Sequence, residues 1–315
     1  AVYGARACCI GGAVGTATVL AGKMFDIPIS GTMAHSWVMF YNDEFEAFKK
    51  YAENYPDGTV LLVDTYDVLE SGIPNAIRVA KEVLEPMGKR LLGIRLDSGD
   101  LAYLSKKARK MLDEAGLTDC KIVVSNSLDE FTINSLLEQG ACIDSFGVGE
   151  RMITSKSEPV FGAVYKMAAV EENGKFVPRI KVSENVEKIT NPGLKKVLRV
   201  YDENGHAVAD MLALREEEID FSKPVSYIDE KKPWKKRRFE NCIARELQVP
   251  VYLDGKLVYQ TESIPEIANY VKAQLDHEIW SEEQRFENPH THYIDMSKKL
   301  YDMKMELLNQ ARGEN

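Results

Sequence analysis

The segment Leu91–Asp100, LLGIRLDSGD, places an arginine inside an apolar run and follows it at once with aspartates. A buried arginine is strongly unfavourable unless it is paired, so Arg95 requires an anionic partner. Asp97 and Asp100 offer carboxylates, and a phosphate would serve the same purpose. Ser98 or Asp100 could also cap a following helix, but a cap does not account for Arg95. The sequence therefore predicts a charged site at the end of a buried strand.

Polar residues and glycines follow the neighbouring apolar runs in the same way. They stand at or just past the ends of four successive runs: Asp64, Arg95 with Asp97, Ser125 with Asn126, and Gly147 with Gly149. In α/β barrels the carboxyl ends of the strands carry the active site, and backbone amides at glycines suit phosphate oxygens. The set favours a phosphorylated, polyhydroxylated ligand, and it indicates that this ligand, rather than Asp97, is the anion of Arg95. Asp64 and Asp97 are the carboxylates that could hold Mg²⁺, directly or through water.

A second group of residues with chemical potential surrounds His35. The segment Ser30–Trp37 reads SGTMAHSW, so small and hydroxyl-bearing residues flank the imidazole. Such a histidine could act as a general base, as a phosphoryl acceptor or as a metal ligand, or it could simply begin a helix. His290 and His292 could bind a metal, but no further ligands cluster near them in the sequence.

The elements that must position these residues alternate between strand and helix patterns. The predicted strands are 60–63, 91–96, 121–124 and 143–146, and the predicted helices are 73–87, 101–115 and 129–138. Strand–helix units of this length favour a parallel sheet with right-handed crossovers. A barrel, closed or nearly closed, and an open doubly wound sheet both fit. No GxGxxG motif follows the first strand, so NAD is not expected as a cofactor.

Composition limits the class of protein further. The chain has 315 residues and a net charge of -9, which argues against nucleic acid as a partner. Its one basic run, 231–238, is interrupted by Pro233 and Trp234 and is typical of a solvated loop. No apolar stretch reaches the roughly 18 residues that a membrane span needs, so no membrane association is expected. Five cysteines without CxxC spacing predict a cytoplasmic protein and no zinc site.

Several segments together resemble bacterial nicotinate phosphoribosyltransferase. They match the family in order and spacing: GTMAHSWVM (31–39), VDTYD (63–67), GIRLDSGDL (93–101), VVSNSLDE (123–130) and DSFGVGERMIT (144–154). The resemblance implies an α/β fold, namely an incomplete TIM-like barrel with a smaller mixed α+β domain and a helical C-terminal tail, usually as a homodimer. We expect a barrel core at 1–160, a β-rich part of the second domain at 161–255, and the tail at 256–315.

The family also implies a particular reaction and a longer N-terminal region. The enzymes make nicotinate mononucleotide and pyrophosphate from nicotinate and phosphoribosyl pyrophosphate, with coupled ATP hydrolysis and Mg²⁺, as the first step of NAD salvage. Family members have a longer N-terminal region that supplies a ring-stacking aromatic and an arginine. This chain starts at Ala1 with an Ala- and Gly-rich stretch that is typical of a packed interior, so we expect it to be the later part of a longer polypeptide.

Residue roles follow from the resemblance, motif by motif. His35 resembles the histidine that ATP phosphorylates, and Asp64 and Asp97 resemble the acidic residues around Mg²⁺ and the pyrophosphate. Arg95 resembles the cation beside the base and the phosphoribosyl group. Ser125 and Asn126 are expected at the ribose hydroxyls. Gly147 and Gly149 are expected at the 5′-phosphate.

The choice of base has a separate signal in Gly15-Thr16-Ala17-Thr18. Nicotinamide-using relatives carry an acidic residue after Gly-Thr, where it accepts a hydrogen bond from the amide. Ala17 stands at that position here, and an acid there would repel the carboxylate of nicotinate. Thr16 and Ala17 are therefore expected near the base. The alternatives are a nicotinamide- or quinolinate-using relative and a non-catalytic barrel that binds sugar phosphates.

Overall fold

The computed structural model describes residues 1–160, 162–185, 188–234 and 236–313. Contacts divide the chain into two compact units, Ala1–Phe161 and Gly162–Asn315. The three-part division expected from the sequence stays a prediction. Within the described ranges, no helix is both long enough and apolar enough to cross a membrane.

The first unit begins with helices that precede the sheet. They are α1 (Val2–Ile10), α2 (Val19–Phe25), α3 (His35–Phe40) and α4 (Glu44–Asn54). Helix α4 starts at a sequence-encoded cap, because the side chain of Asp43 accepts a hydrogen bond from the Glu46 N–H. The indole of Trp37 in α3 donates to the Ala47 carbonyl at 3.0 Å. This bond fastens the short helix that carries His35 to the longer α4.

A parallel sheet follows, and its strands pair in chain order. The strands are β1 (Val60–Leu62), β2 (Gly93–Leu96), β3 (Lys121–Ser125) and β4 (Ser145–Gly147), and the helices after them are α5 (Ile73–Val79), α6 (Leu101–Glu114), α7 (Glu130–Glu138) and α8 (Glu150–Ile153). Leu62 is in register with Arg95, and Ser125 with Gly147. The arrangement confirms the predicted incomplete α/β barrel, and it brings the carboxyl ends of the strands to one edge.

Short-range signals in the sequence set the boundaries of these helices. Asp100 caps α6 by accepting from the Tyr103 N–H at 3.0 Å, and Asp129 caps α7 by accepting from the Thr132 N–H at 2.8 Å. Gly116 and Gly140 follow α6 and α7 with φ of 79° and 69°, in the left-handed region that glycine tolerates best. The capping role predicted for Ser98 or Asp100 therefore belongs to Asp100.

The predicted helix 73–87 differs from a regular α-helix. Helix α5 is continuous with π-helical turns at Val68–Gly72 and Ala80–Leu84, and the segment ends in a 3₁₀ turn at Glu85–Met87. Gly72 explains the first irregularity, because a Cβ built there would lie 1.8 Å from the Val63 carbonyl oxygen. Only a glycine lets this turn lie directly against the end of β1.

Apolar side chains from both faces of the sheet form the core of the first unit. Val38 of α3, Phe48 of α4 and Leu62 of β1 are fully buried in the same cluster as Ile94 of β2 and Leu112 of α6. The packing of this core holds the carboxyl ends of the strands in fixed relative positions.

The second unit is built around a mixed sheet. Its strands lie in the order β10 (Lys236–Phe239), β9 (Val225–Ile228), β14 (Ile294–Ser297), β8 (Ala207–Leu214), β7 (Lys195–Tyr201) and β11 (Ile243–Glu246). Separate hairpins are formed by β5 (Ala169–Glu172) with β6 (Lys175–Pro178), and by β12 (Tyr252–Leu253) with β13 (Lys256–Leu257). The smaller mixed α+β domain is thus confirmed.

The C-terminal region is helical, as expected, but it also supplies a strand. Helix α9 (Ile264–Ala273) begins at a capping box of Ser263 and Glu266, and α10 (Lys298–Arg312) begins at Ser297. Strand β14 lies between them in sequence and runs parallel to β8 and antiparallel to β9. The last part of the chain therefore belongs to the sheet of the second unit.

Candidate active site

The carboxyl ends of β1 and β2 are tied together by one buried carboxylate. Asp64, whose side chain is 1 % exposed, follows β1. Its Oδ2 accepts hydrogen bonds from the Asp97 N–H at 2.7 Å and from the Ser98 hydroxyl at 2.6 Å. The Ser125 hydroxyl, at the end of β3, donates to Asp97 Oδ1. Three successive strand ends thus form one connected polar network, as the sequence predicts.

Arg95 lies in this network, but not as expected. Its Nη2 is 3.1 Å from Asp97 Oδ1, so the anion beside Arg95 in the structure is Asp97, and the prediction that excluded this carboxylate is wrong. Asp97 stands two residues after Arg95, and side chains two residues apart on an extended segment lie on the same side of it. The Nε–H donates to Ser125 Oγ at 2.8 Å, and Nη1 donates to Thr32 Oγ1 at 2.9 Å. A guanidinium has five N–H donors, so these described contacts leave two that could meet a ligand anion.

His35 stands over the two aspartates. Its Nε2 is 3.9 Å from Asp64 Oδ1 and 3.7 Å from Asp97 Oδ2, and its Nδ1 is 3.0 Å from Thr65 Oγ1. The imidazole remains 38 % exposed, whereas Asp64 beneath it is buried. The structure therefore joins the two groups of residues that the sequence kept apart, because α3 delivers His35 to the edge where β1 and β2 end.

The network favours the charged form of Asp97. Burial alone would raise the pKa of this carboxyl, but the hydrogen bond from Ser125 and the charge and hydrogen bond of Arg95 outweigh burial. The pKa of Asp97 is therefore held below its usual range. The ionised Asp97 is thus paired with Arg95 and lies next to an accessible histidine.

The two aspartates have oxygens suited to a divalent cation. Asp64 Oδ1 is buried and accepts no hydrogen bond within the described part of the chain, and Asp97 Oδ2 faces the same space near His35 Nε2. Mg²⁺ is commonly held by one or two carboxylates together with waters and substrate phosphates, so this donor set fits it. No group of three or more His, Cys, Asp or Glu side chains in the described ranges forms a complete metal cage.

The other predicted site residues lie at the same edge with less contact. Asn126 is exposed, with φ of 117°, directly after β3. A Cβ added to Gly147 would lie 3.2 Å from the Ser125 Cβ, so the end of β4 approaches Ser125 closely. Gly149 is exposed and precedes α8. Asn126 and Gly147 thus form a rim beside Ser125, and Gly149 follows them at the start of α8.

Thr16 and Ala17 lie on a separate extended segment. The Thr16 N–H donates to the Pro28 carbonyl at 2.9 Å, and the Ser30 N–H donates to the Thr16 carbonyl at 3.0 Å. Ala17 is exposed. The segment is therefore aligned with the chain that leads into Thr32 and His35, and its expected place beside the base stays a prediction.

Three hydroxyl residues in this network were not predicted from the sequence. Thr32 meets Arg95, Thr65 meets His35, and Ser98 meets Asp64. Thr32 and Thr65 stand inside the motifs 31–39 and 63–67. Their closeness in sequence to His35 and Asp64 is the one signal that could have predicted them as site residues. Sequence spacing does not show which partner a hydroxyl reaches.

Taken together, the fold and the site define an α/β-barrel protein with an acidic and basic site at the carboxyl ends of its strands, a place typical of phosphate-containing ligands. Two family models extend the assignment: the nicotinate phosphoribosyltransferase (NAPRTase) family matches residues 10–220, and the nicotinate phosphoribosyltransferase C-terminal domain matches residues 194–304. The chain belongs to the nicotinate phosphoribosyltransferase family.

Individual relatives agree with the family assignment. Nicotinate phosphoribosyltransferase of Bacillus subtilis is 48 % identical over 316 residues, which cover 99 % of this chain and 63 % of that protein. The Dictyostelium discoideum enzyme of the same name is 34 % identical over 93 % of this chain and 58 % of its own length. The chain thus spans about three fifths of the length of these two curated relatives.

A solved structure agrees with the fold. The crystal structure of human nicotinic acid phosphoribosyltransferase matches with a TM-score of 0.76 and 24 % identity, over 96 % of this chain and 66 % of that one. At this level of identity the match supports the incomplete α/β barrel and the mixed domain.

Proposed function

We propose that the protein transfers the phosphoribosyl group of phosphoribosyl pyrophosphate to nicotinate, forming nicotinate mononucleotide and releasing pyrophosphate, as the first step of NAD salvage. The observation that carries this proposal is the placement of His35 within 4 Å of both Asp64 and Asp97, at strand ends that also present Arg95. Family membership supplies the substrate class, since the relatives matched along this chain carry the name of this activity.

The site suits a reaction whose leaving group, pyrophosphate, carries negative charge. Phosphoribosyl transfer passes through an oxocarbenium-like ribosyl centre, so the protein must hold the leaving group and fix geometry rather than provide a nucleophile to carbon. We propose that Asp64 Oδ1 and Asp97 Oδ2 hold Mg²⁺. When bound, this ion would neutralise part of the pyrophosphate charge.

His35 would couple ATP to the transfer. An imidazole nitrogen attacks the γ-phosphorus of ATP, the bond to the bridging oxygen breaks, and ADP leaves while the phosphoryl group stays on His35. The 38 % exposure of the side chain leaves room for this approach. The resulting phosphohistidine would place negative charge beside the proposed Mg²⁺ and pyrophosphate sites until water removes it.

The remaining residues would bind the other parts of the substrates. The two uncommitted N–H groups of Arg95 suit the carboxylate of nicotinate or a phosphate. We propose that Ser125 and Asn126 meet the ribose hydroxyls, and that Gly147 and Gly149 border the 5′-phosphate.

Selectivity for nicotinate would depend on Thr16 and Ala17. An alanine at this position offers no acceptor for a nicotinamide N–H and no charge against a carboxylate. The alternatives of a nicotinamide or quinolinate user, or of a non-catalytic barrel, would fail to form nicotinate mononucleotide from nicotinate.

The direct test is turnover of phosphoribosyl pyrophosphate with nicotinate or nicotinamide, with and without ATP and Mg²⁺. We expect nicotinate mononucleotide and pyrophosphate in equal amounts, greater yield with ATP, and loss of the ATP effect in His35→Ala. Equal turnover of the two bases would contradict the proposed role of Ala17. Binding of phosphoribosyl pyrophosphate without product from any base would favour the non-catalytic barrel.

We extend the proposal to a homodimer in a reducing cytoplasm. All five cysteines are free in the structure, and free cysteines are usual in that compartment. Sedimentation of the purified protein would test the dimer, because a single species at the mass of one chain contradicts it.

A further inference from the structure

The loop that leads to His35 has little local structure to hold it. Residues 30–34 form no helix or strand, and α3, which starts at His35, is six residues long. Its N-cap residue, Ala34, cannot bond the first N–H groups of the helix through its side chain. The position of His35 must therefore be set by contacts with other elements: Trp37 holds α3 to the Ala47 carbonyl of α4, and the preceding loop bonds to the sheet.

Thr32 makes the contact with the most remote partner in this loop. Its hydroxyl accepts a hydrogen bond from Arg95 Nη1 at 2.9 Å and donates to the Met33 carbonyl at 3.3 Å. The Met33 side chain is 5 % exposed and lies in the core of the first unit. Thr32 thus joins β2 to the loop three residues before His35.

Thr65 makes a different contact. Its hydroxyl is 3.0 Å from His35 Nδ1, and it follows Asp64 at the end of β1. Among the hydrogen bonds of the described residues, Thr65 therefore bonds the imidazole, whereas Thr32 bonds Arg95. The two threonines give a matched pair for separating what each tether does.

We propose that Thr32 is a positioning residue for both His35 and Arg95. Its one hydroxyl would fix the position of His35, on the side of the site that accepts the phosphoryl group, and of Arg95, on the side that binds the base. Only the names of the two sides rest on the proposed function. Whatever the reaction is, loss of the Thr32 hydroxyl should move both His35 and Arg95. Thr32 itself would touch neither the base nor ATP.

The physical reason is that valine keeps the shape of threonine but removes the oxygen. In Thr32→Val, one N–H of the Arg95 guanidinium loses its acceptor, and of its three bonds only those to Asp97 and Ser125 remain to hold it. The loop loses its polar bond to β2 at the same time. Hydrogen bonds to charged groups are among the stronger ones in proteins, so the effect should be measurable on both sides.

The kinetic test compares Thr32→Val, Thr32→Ser and Thr65→Val. In Thr32→Val we expect the KM for nicotinate to rise, and the rate of His35 labelling by γ-labelled ATP to fall, each on the order of tenfold, which is the size expected for one hydrogen bond to a charged group. Thr65→Val should slow labelling but leave the KM for nicotinate within about twofold. Thr32→Ser restores the hydroxyl and should restore both quantities.

Two kinetic results would overturn the proposal. One is a Thr32→Val protein in which only the KM or only the labelling rate changes. The other is a Thr32→Ser protein that stays as impaired as Thr32→Val, since the hydroxyl would then not be the cause. Thermal unfolding of each variant shows that it is folded before kinetics are measured.

A spectroscopic test separates this inference from the proposed function. The chain has five histidines, so the ring ¹⁵N signals of His35 can be assigned with His35→Ala, and the Nε–H signal of Arg95 with Arg95→Lys. Thr32→Val should shift both sets of signals, and Thr65→Val only those of His35. If wild-type protein neither labels nor turns over, the proposed function fails while this test still decides the role of Thr32. Unchanged His35 signals in Thr32→Val would overturn it.

Discussion

Each unit of the molecule contains a cluster of arginine, histidine and two acidic residues. In the first unit the cluster is His35, Asp64, Arg95 and Asp97. In the second unit it is Arg199 of β7, Asp210 of β8, His292 and Glu283. The two clusters combine the same kinds of charged group, so residue type alone does not distinguish a reactive cluster from a structural one.

The second cluster is closed by its own members. Arg199 donates two hydrogen bonds of 2.9 Å to the two oxygens of Asp210. His292 lies between two carboxylates, with Nδ1 3.1 Å from Glu283 and Nε2 3.5 Å from Asp210. Burial would raise the pKa of Asp210, but Arg199 and His292 lower it to about 2. These groups mainly stabilise one another and leave little for a ligand.

The first cluster is open by comparison. His35 Nε2 is farther than a hydrogen bond from both aspartates, and the imidazole is 38 % exposed against 20 % for His292. One oxygen of the buried Asp64 has no hydrogen-bond donor in the described ranges. His292 Nε2 in the second cluster also lacks a hydrogen bond in the described ranges. The candidate site is therefore distinguished by access to its histidine, and by the Asp64 oxygen and Arg95 N–H groups that its own bonds leave over, rather than by the kinds of residue present.

The largest predicted effect removes charge from the open cluster without removing its bonds. In Asp64→Asn, the amide oxygen can still accept from the Asp97 N–H and the Ser98 hydroxyl, but the negative charge is lost. We expect initial rates of nicotinate mononucleotide formation to fall about 100-fold or more, with the unfolding temperature nearly unchanged. Retained activity would mean that the charge of Asp64 is not used, and the two clusters would then be alike.

The opposite pattern is expected in the closed cluster. Asp210→Asn leaves Arg199 and His292 without their shared carboxylate. Because removal of one partner of a buried pair is costly and this pair is partly exposed, we expect a loss of about 2–3 kcal/mol in the free energy of unfolding. Urea unfolding measures it, with the exposed Asp276→Asn as control. A loss no greater than that of the control would show that the second cluster is not structural.

The pH dependence of stability should sharpen the same contrast. The hydrogen bond and charge of Asp210, together with Glu283, raise the pKa of His292 above 6.5 despite burial. Its stabilising charge is fully present below pH 6.5 and is lost as the pH rises through the raised value. The contribution of Asp210 is lost only on the acid side, below pH 3.8, as the pH falls toward about 2.

We therefore expect the free energy of unfolding to fall above pH 6.5 by about 1 kcal/mol from His292. The fall should be smaller by that amount in His292→Gln, and unchanged in His277→Gln, where the replaced side chain is exposed. Urea titrations on both sides of pH 6.5 measure it. Identical slopes in wild type and His292→Gln would contradict the assignment.

The smallest predicted effect concerns the rim of the open cluster. In Gly147→Ala the new methyl group would press on the Ser125 side chain, which bonds both Arg95 and Asp97. We expect activity to fall about three- to tenfold, equivalent to roughly 1 kcal/mol. Gly58→Ala, where a Cβ meets nothing within 4 Å, is the matched control. Equal activity of the two variants would place the end of β4 outside the site.

The sequence predicts the first unit well because its signals are local. Strands such as β2 and β3 are apolar runs, and caps such as Asp100 and Asp129 mark where helices begin. The same signals do not reveal β14, because IDMS (294–297) lies in a polar region and is buried by its neighbours β8 and β9 and by α10. A strand whose apolar character comes from tertiary packing leaves little trace in its own sequence.

The candidate site shows a similar limit. The position of Asp64, Asp97 and Ser125 at strand ends follows from the alternation of strands and helices. The pairing of Arg95 with Asp97 was predicted wrongly, although the two residues stand two positions apart, where side chains of an extended segment share one side. The bonds from Thr32 to Arg95 and from Thr65 to His35 join residues 63 and 30 positions apart, so no local pattern contains them.

The most direct test of the account is transfer of label from γ-labelled ATP to the protein, followed by mapping of the labelled residue. We predict an acid-labile, base-stable label on His35 in wild type and in His292→Ala, and none in His35→Ala. Label that persists in His35→Ala, or that requires His292, would contradict the claim that the open cluster of the first unit is the reactive one.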